Sequence, residues 1–475
     1  MSKENIFFIP AYKLVDTIKS QIITAEEITE RFIERIEKLN PILNAYCTLS
    51  FDLARRKAKD IDKKIKNNED LGLLAGIPTA LKDDIEVKNI RTTFGSMIFE
   101  NYFPKEDEAV VKRLKDAGVI ILGKTNMPEQ GFKGVTDNLL FGATKNPWNL
   151  EKTPGGSSGG SAAAIAAGIA TLAIGSDGGG SIRIPSSFCG IYGFKPSFGR
   201  IPQDTLRFFG NSGSLVHIGP IVRYVKDAAL MMDVICGEDD SDRYSLPKAS
   251  FSYNEKINMI PKKLKIGYSL DLGFAKVIDH EVKEKVIEGI QRFEDLGSQT
   301  ELADIKLNKA DETMWVLWNV GYAYALKSYL KEFKDKIDPE LLRTIEIGST
   351  YTVTDVKAAE LQRERIYEAI CKALNKLDLL ITPTTACLPF GLMRSAPEKI
   401  DDKEISPLDW IPFTYPFNMS GHPVASIPVG WSKDGLPIGM QIIGKRLNDL
   451  IVLQASKAYE EIFPWQSKVP TFGNN

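Results

Sequence analysis

The stretch TPGGSSGGSAAAIAAGIATLAIGSDGGGSIRIP, residues 153–185, places two glycine- and serine-rich loops on either side of an alanine-rich segment. The alanine segment predicts a helix of about nine residues, or about 14 Å. The following ATLAIG, residues 170–175, predicts a strand of about 16–20 Å. Because the two lengths nearly match, a strand that runs back along the helix returns the second loop to the first. Ser157 and Ser158 would then approach Ser181.

The same alternation of helices and apolar strands continues along the chain. Strand patterns occur within residues 73–87 and return at 377–384 and 423–444. Together they predict an α/β fold with a buried sheet, against which the small alanine side chains let a helix pack closely. The segment of about 240–375 is richer in charge and mainly helical in pattern. We therefore predict one domain over residues 1–475, with a helical insertion in that segment.

The composition is that of an ordinary globular protein, with 475 residues, 43% hydrophobic, 26% charged and a net charge of −2. No long basic block is present, so nucleic acid and anionic membranes are not expected partners. The longest apolar run, Ala162–Gly175, is too short to span a bilayer, and the N-terminal residues make a poor signal peptide. The five cysteines form no C-x-x-C pair. We expect a soluble cytoplasmic protein without a metal ion or other cofactor.

Glycine-rich loops often bind phosphate groups, but neither loop fits a phosphate-binding pattern. In a P-loop alignment, Ser161 stands where a lysine is required. In a dinucleotide-binding alignment, Arg183 stands where the last glycine is required. Nucleotide binding is therefore disfavoured.

The run GGGS, residues 178–181, offers a different chemistry. Its successive backbone N–H groups can surround the oxyanion of a tetrahedral intermediate. Ser181, at the end of this run, is a candidate nucleophile. The same residues also fit a tight turn in which Ser181 only caps the next segment.

A serine nucleophile needs a base. The chain has three histidines, His217, His280 and His422, and none lies in a recognisable triad motif or near a G-x-S-x-G elbow. A Ser-His-Asp enzyme would have to use one of them. Lysine is the alternative, because a desolvated lysine can lose its charge and act as a base. Lys82, at the end of an apolar strand, is placed for this role, although a solvated surface amine fits the sequence as well.

Two segments, GGSSGGSAAAIAAG and SDGGGSIRIPSSFCGIYGFKPSFGR, closely resemble the signature of the amidase signature family of serine hydrolases. Further blocks follow in the expected order: GIPTALKDD, LFGATKNPWN, VHIGPIVR, PFNMSGHPVASIPVG and GLPIGMQIIG. The resemblance covers nearly the whole chain and is weakest at about 240–375. It implies a large mixed β-sheet covered by helices on both faces. It also implies hydrolysis of a carboxamide to a carboxylate and an amine or ammonia.

The family resemblance implies a Ser-Ser-Lys triad. Ser181 would be the nucleophile that forms an acyl-enzyme, and Lys82 would be the base. Ser157 would bridge them by passing a proton, and an unusual cis peptide bond after Gly156 would hold it in place.

The resemblance also assigns the residues around the nucleophile. The oxyanion hole would consist of backbone N–H groups in one loop: Gly178, Gly179, Gly180 and Ser181. Asp177 and Arg183 would brace this loop, and Ser158 would support it. Many family members carry threonine or isoleucine where Gly178 stands, which predicts a different pocket shape here. Cys189 is a nucleophile by residue type, but we expect a buried structural cysteine.

The substrate pocket of the family is formed by segments that match least, which lie here at about 125–140 and 300–350. The pocket residues predicted there are Gln130, Phe132, Trp315 and Trp318, although two aromatic residues three apart on a helix are also typical of a core. The family cleaves aliphatic, aryl, fatty acyl, peptide and nylon-type amides, so the expected ligand is a small-molecule amide. Many members are homodimers, and the sequence shows no interface.

Two other functions remain open from the sequence. One component of the glutamine-dependent tRNA amidotransferases, their glutaminase component, belongs to the same family, but the stretch at residues 201–223 more closely resembles free-standing amidases. A non-catalytic binding protein of the same fold is the other possibility. The presence of all three triad residue types argues against it.

Overall fold

The computed structural model describes residues 6–204, 214–261 and 263–472. Part of the stretch that resembles free-standing amidases, residues 205–213, lies outside the described residues.

The described residues form thirteen β-strands. They are β1 Tyr46–Leu49, β2 Pro78–Lys82, β3 Ile120–Thr125, β4 Leu172–Asp177, β5 Tyr192–Lys195, β6 His217–Val222, β7 Lys265–Tyr268, β8 Gln299–Leu302, β9 Leu379–Pro383, β10 Lys399–Ile400, β11 Lys403–Glu404, β12 Val424–Trp431 and β13 Pro437–Gly444. Eleven of them form one sheet in the order β1-β3-β2-β4-β6-β5-β12-β13-β9-β7-β8, while β10 and β11 form a separate hairpin. The sheet is mixed, because β2 pairs in parallel with β3 and β4 whereas the central strands pair antiparallel.

The α-helices that pack around this sheet are α1 Ala11–Lys19, α2 Ala25–Leu43, α3 Phe51–Lys66, α4 Ala109–Asp116, α5 Gly159–Ala166, α6 Arg183–Cys189, α7 Val225–Ile235, α8 Tyr253–Lys256, α9 His280–Asp295, α10 Ala310–Leu326, α11 Leu330–Phe333, α12 Pro339–Gly348, α13 Val353–Leu374, α14 Pro416–Ser420 and α15 Asp449–Ile462. Short 3₁₀ helices lie at Ile6–Phe8, Met97–Phe99, Glu129–Gly131, Lys334–Lys336 and Trp465–Ser467. Among the described residues, no helix is both long and apolar enough to cross a lipid bilayer.

Both faces of the sheet are buried. Successive side chains of a strand point to opposite faces, and in β9 Leu379 and Ile381 belong to one hydrophobic cluster whereas Leu380 belongs to another. The first cluster includes side chains of α1, α2, α7, α9 and α15, and the second includes side chains of α10 and α13. The predicted α/β fold, with helices on both faces of a large mixed sheet, is confirmed.

The segment at about 240–375 contains α8 to α13 and also two strands, β7 and β8. These strands extend one edge of the main sheet beyond β9. The sequence pattern did not indicate them. Each has only four residues, and three of the four residues of β8 are exposed, so no apolar alternation marks it.

The carboxyl ends of β2 and β4 lie at the same edge of the sheet. The two strands are parallel neighbours, with Leu81 paired to Ile174. Lys82 ends β2 and Asp177 ends β4, so polar residues from both strands converge at this edge. In open α/β sheets, ligands bind in the crevice outside the carboxyl ends of the strands.

Candidate active site

Lys82 is completely buried, and its ammonium group lies in the middle of a polar cluster. Its Nζ atom donates hydrogen bonds to Ser157 Oγ and to Ser176 Oγ, each at 2.7 Å, and lies 3.1 Å from Asp84 Oδ2. Burial lowers the pKa of Lys82 below that of an ordinary lysine, and the Asp84 carboxylate opposes part of this shift. The arrangement suits a lysine that can lose its proton within the protein.

Ser157 and Ser158 lie in the first glycine loop, directly before α5. The Gly156–Ser157 peptide bond is cis, as the family resemblance implies. Gly156 approaches the backbone so closely that a Cβ atom there would lie 2.5 Å from Val135 O. Ser158 joins the two loops, because its backbone N–H donates to Ser181 O at 3.1 Å and its hydroxyl donates to Ser176 O at 3.1 Å.

The second glycine loop, residues 178–181, presents backbone N–H groups beside the Ser181 hydroxyl. The N–H group of Gly180 donates to Asp177 Oδ1 at 2.7 Å, so this donor is already engaged. The N–H groups of Gly178, Gly179 and Ser181 make no hydrogen bond to other described residues. Gly180 has φ +130°, which favours glycine, and a Cβ atom there would meet Thr414 Oγ1 at 2.6 Å.

A buried ion pair holds the second loop. Arg183 donates from Nε and Nη2 to the two carboxylate oxygens of Asp177, each at 2.9 Å, and both side chains are fully buried. The Arg183 guanidinium therefore holds the pKa of Asp177 below its ordinary value, against the opposing effect of burial. Asp177 in turn accepts the N–H groups of Gly180 and Ile182. The pair thus fixes the backbone on both sides of Ser181.

Two cavities meet at Ser181. The smaller one, of about 20 Å³, is lined by side chains of the polar cluster, including Asp84, Ser157, Ser176 and Gln130. The Nε2 atom of Gln130 is buried and has no hydrogen-bond partner among the described residues. Ser181 lines this cavity and the larger one beside it.

The larger cavity has a volume of about 470 Å³ and a mainly apolar and aromatic wall. Its lining residues include Phe132, Met314, Trp315, Trp318, Trp410 and Tyr415. Of the four pocket residues predicted from the sequence, three therefore line the larger cavity, and Gln130 lines the smaller one. Trp410, Met314 and Tyr415 had no signal in the sequence that separated them from core residues.

Gly178 makes room for Trp318. A Cβ atom at residue 178 would lie 2.9 Å from Cη2 and Cζ3 of the indole, which is closer than side-chain carbons approach in proteins. The indole Nε1 atom also donates to Phe132 O at 3.0 Å, which fixes the ring. This contact gives a physical reason for glycine at a position where many family members carry a larger residue.

We expect the substitution Gly178→Thr to displace the Trp318 ring and to raise KM for an aromatic amide by about tenfold or more, because overpacking of a filled site is costly. The additional substitution Trp318→Ala should restore part of the loss. Steady-state kinetics of the two single variants and the double variant measures this coupling. A double variant no more active than Gly178→Thr alone would contradict the proposed contact.

The other predicted nucleophile and bases lie away from both cavities. Cys189 is completely buried, and burial raises its pKa. His217 and His422 are buried, and burial lowers the pKa of His422 to about 3. Within the described residues, none of these three side chains, nor that of His280, lines either cavity.

One group of side chains in the described residues has the ligand types of a metal site: Asp279, His280 and Asp401. His280 Nδ1 lies 2.9 Å from Asp401 Oδ1, and Asp279 caps α9 by accepting the N–H groups of Glu281 and Val282. These contacts account for the group, which lines neither cavity.

Two residues of the polar cluster, Asp84 and Ser176, were not predicted as site residues. Ser176 precedes the end of β4, beside the end of β2, and its hydroxyl donates to Asp84 Oδ2 at 2.5 Å. The parallel pairing of β2 and β4 could have indicated Ser176, because it places the two strand ends side by side.

Comparison with known proteins places this geometry in a family. A family profile described as Amidase matches residues 27–453. The chain belongs to the amidase signature family. It is 36% identical to an acylamidase of Rhodococcus erythropolis over 99% of this chain and 98% of that protein. It is also 36% identical to the GatA-type component of the glutamyl-tRNA(Gln) amidotransferase of Sulfurihydrogenibium sp. (strain YO3AOP1), over 96% of this chain and 98% of that protein.

A solved structure supports the same assignment. A bacterial aryl acylamidase of the amidase signature family superposes with a TM-score of 0.91 and 33% sequence identity, over 97% of each chain. The chain is therefore an amidase, an enzyme that hydrolyses a carbon–nitrogen bond of an amide.

Proposed function

We propose that this amidase works through Ser181, Ser157 and Lys82. Neutral Lys82 takes a proton from Ser157, and Ser157 takes one from Ser181, whose Oγ attacks the amide carbonyl. The oxyanion is stabilised by backbone N–H groups of residues 178–181. The proton then returns through Ser157 to the leaving amine, and water hydrolyses the acyl-enzyme through the same groups.

The observation that carries this proposal is the 2.7 Å hydrogen bond between Lys82 Nζ and Ser157 Oγ in a buried environment. It supports the relay, because a proton passes between groups in direct hydrogen-bond contact. The hydrogen bond from Ser158 N–H to Ser181 O supports the last step, since it fixes the two serine loops against each other. The N–H groups of Gly178, Gly179 and Ser181 are the proposed oxyanion donors, because the Gly180 N–H is bonded to Asp177.

We propose that the substrate is an amide that carries an aromatic or extended apolar group. The cavity of about 470 Å³ beside Ser181 supports this, because its wall includes Phe132, Trp315 and Trp318. A cavity of this volume lies within the usual range for small-molecule sites, which bury most of the ligand. We propose Gln130 as a polar contact at the inner end, where its Nε2 atom is unpartnered among the described residues.

A substrate panel tests the proposed function. We expect an acyl anilide or benzamide to exceed acetamide in kcat/KM by about tenfold to a hundredfold, because burial of an aromatic ring contributes a few kcal/mol. The enzyme should act after purification without any partner protein. The panel should include a long-chain amide and glutamine, measured under the same conditions.

The alternative of a tRNA amidotransferase component is supported by sequence identity alone. The mainly apolar wall of the cavity favours a hydrophobic amide over the polar side chain of glutamine. Hydrolysis of glutamine as fast as that of an anilide would favour the amidotransferase function and would contradict our proposal.

A further inference from the structure

We propose that Asp84 is a positioning residue of the amidase reaction, which aims the lone pair of Lys82 at Ser157 and sets the pH range in which Lys82 accepts a proton. This inference rests on the proposed role of Lys82 as the base. It concerns a residue that neither the sequence pattern nor the family resemblance assigned to the site.

The contacts of Lys82 determine where its hydrogens and its lone pair point. Ser176 donates its only proton to Asp84 Oδ2 at 2.5 Å, so its oxygen can only accept from Lys82 Nζ at 2.7 Å. Asp84, as a carboxylate, also can only accept, and it lies 3.1 Å from the same nitrogen. A neutral lysine has two N–H groups and one lone pair. Because Ser176 and Asp84 take the two N–H groups, the lone pair is left for Ser157.

Without the Asp84 carboxylate, this orientation would be lost. The hydroxyl of Ser176 could then rotate and donate its proton to the Lys82 lone pair, which would compete with Ser157. Asp84 therefore acts on Lys82 twice, through direct contact and through the hydroxyl of Ser176.

The charge of Asp84 is concentrated on Lys82. Only 1% of the Asp84 side chain is exposed, and its Oδ1 atom has no hydrogen-bond partner among the described residues. The other charged or titratable groups that face the pair are Asp177 of β4, Tyr322 of α10 and Glu108 before α4. None of these is a cation, so the nearest counterion of Asp84 is Lys82.

The neighbouring Asp83 provides a matched control. It is as buried as Asp84, but its carboxylate accepts from Thr93 and lies 3.8 Å from Lys124 Nζ. The two acidic residues thus belong to different lysines, although they are adjacent in the chain. Replacement of either by asparagine removes one buried negative charge next to β2.

The test compares the pH dependence of kcat/KM for wild type, Asp84→Asn and Asp83→Asn. Active sites are counted with a fluorophosphonate, so that an unfolded fraction does not affect the result. Removal of an opposite charge at hydrogen-bond distance should move the acid limb of Asp84→Asn to lower pH by about one to three units. The plateau should also fall, because the lone pair of Lys82 is no longer directed. The acid limb of Asp83→Asn should move much less.

A purely structural role would lower the rate of Asp84→Asn without moving the acid limb, and this result would overturn the inference. An equal movement in both variants would overturn it as well. If Asp84→Asn turns over too slowly, the labelling rate of Ser181 by the fluorophosphonate across the same pH range gives the same readout. If the asparagine variant does not fold, Asp84→Ala is measured in its place.

The failure of the inference can be distinguished from failure of the proposed function. An unmoved acid limb in Asp84→Asn, together with an inactive Lys82→Ala, would contradict only the role of Asp84. An active Lys82→Ala would contradict the proposed base itself.

Discussion

Replacement of Ser181 by alanine is expected to lower kcat/KM for an amide substrate by on the order of 10⁵-fold, because it removes the only proposed nucleophile. The loss should appear in kcat, since the cavity that holds the substrate is lined mainly by other residues. Residual activity above the uncatalysed rate would come from substrate binding and the remaining N–H donors. Steady-state kinetics with an acyl anilide measures the change.

The matched control for this prediction is Ser186→Ala. Ser186 is also a buried serine, but it lies in α6, where its hydroxyl donates to Ile182 O at 2.7 Å, and it lines neither cavity. We expect Ser186→Ala to retain activity within a few-fold of wild type. Comparable activity of Ser181→Ala and Ser186→Ala would contradict the assignment of the nucleophile.

Replacement of Lys82 by alanine should lower kcat/KM by about 10²–10⁴-fold, the usual range for loss of a general base. In the wild type, kcat/KM should fall by about tenfold for each pH unit below the pKa of Lys82, because only the neutral amine accepts the proton. Burial lowers the pKa of Lys82, so the wild type should be active well below the pH at which a solvated lysine loses its charge. The acid limb should disappear in Lys82→Ala.

Lys82→Arg is the informative companion of Lys82→Ala. Arginine keeps a positive charge beside Asp84, but it cannot lose its proton in a protein, so it cannot act as the base. We expect it to be as inactive as the alanine variant. Thermal unfolding of both variants checks that they fold. Wild-type activity in Lys82→Arg would show that the charge alone is needed and would contradict proton transfer.

The fold was largely predictable, because long-range pairing followed local patterns. The alanine-rich run forms α5, Gly159–Ala166, and the next apolar run forms β4, Leu172–Asp177, although the bounds differ by a few residues from those predicted. The late strands β9, β12 and β13 join the early sheet as predicted. β8 was missed because an edge strand with exposed side chains needs no apolar alternation.

The site was only partly predictable from the sequence. The residues in glycine loops had strong local signals, and the structure brings Lys82 and Ser157 into contact. Asp83 and Asp84 look alike in the sequence, and only the turn after β2 directs one to Lys124 and the other to Lys82. Trp318 could not be separated from a core residue, because its exposure to the cavity depends on how α10 packs.

Mass spectrometry of the enzyme after reaction with a fluorophosphonate tests the central claim most directly. A fluorophosphonate forms a stable adduct with an activated serine at the point where the acyl-enzyme would form. We predict one adduct per chain, on the peptide that contains Ser181, and slow labelling when Lys82 is replaced by alanine. Absence of an adduct, or an adduct on Ser157, Cys189 or another residue, would contradict the account.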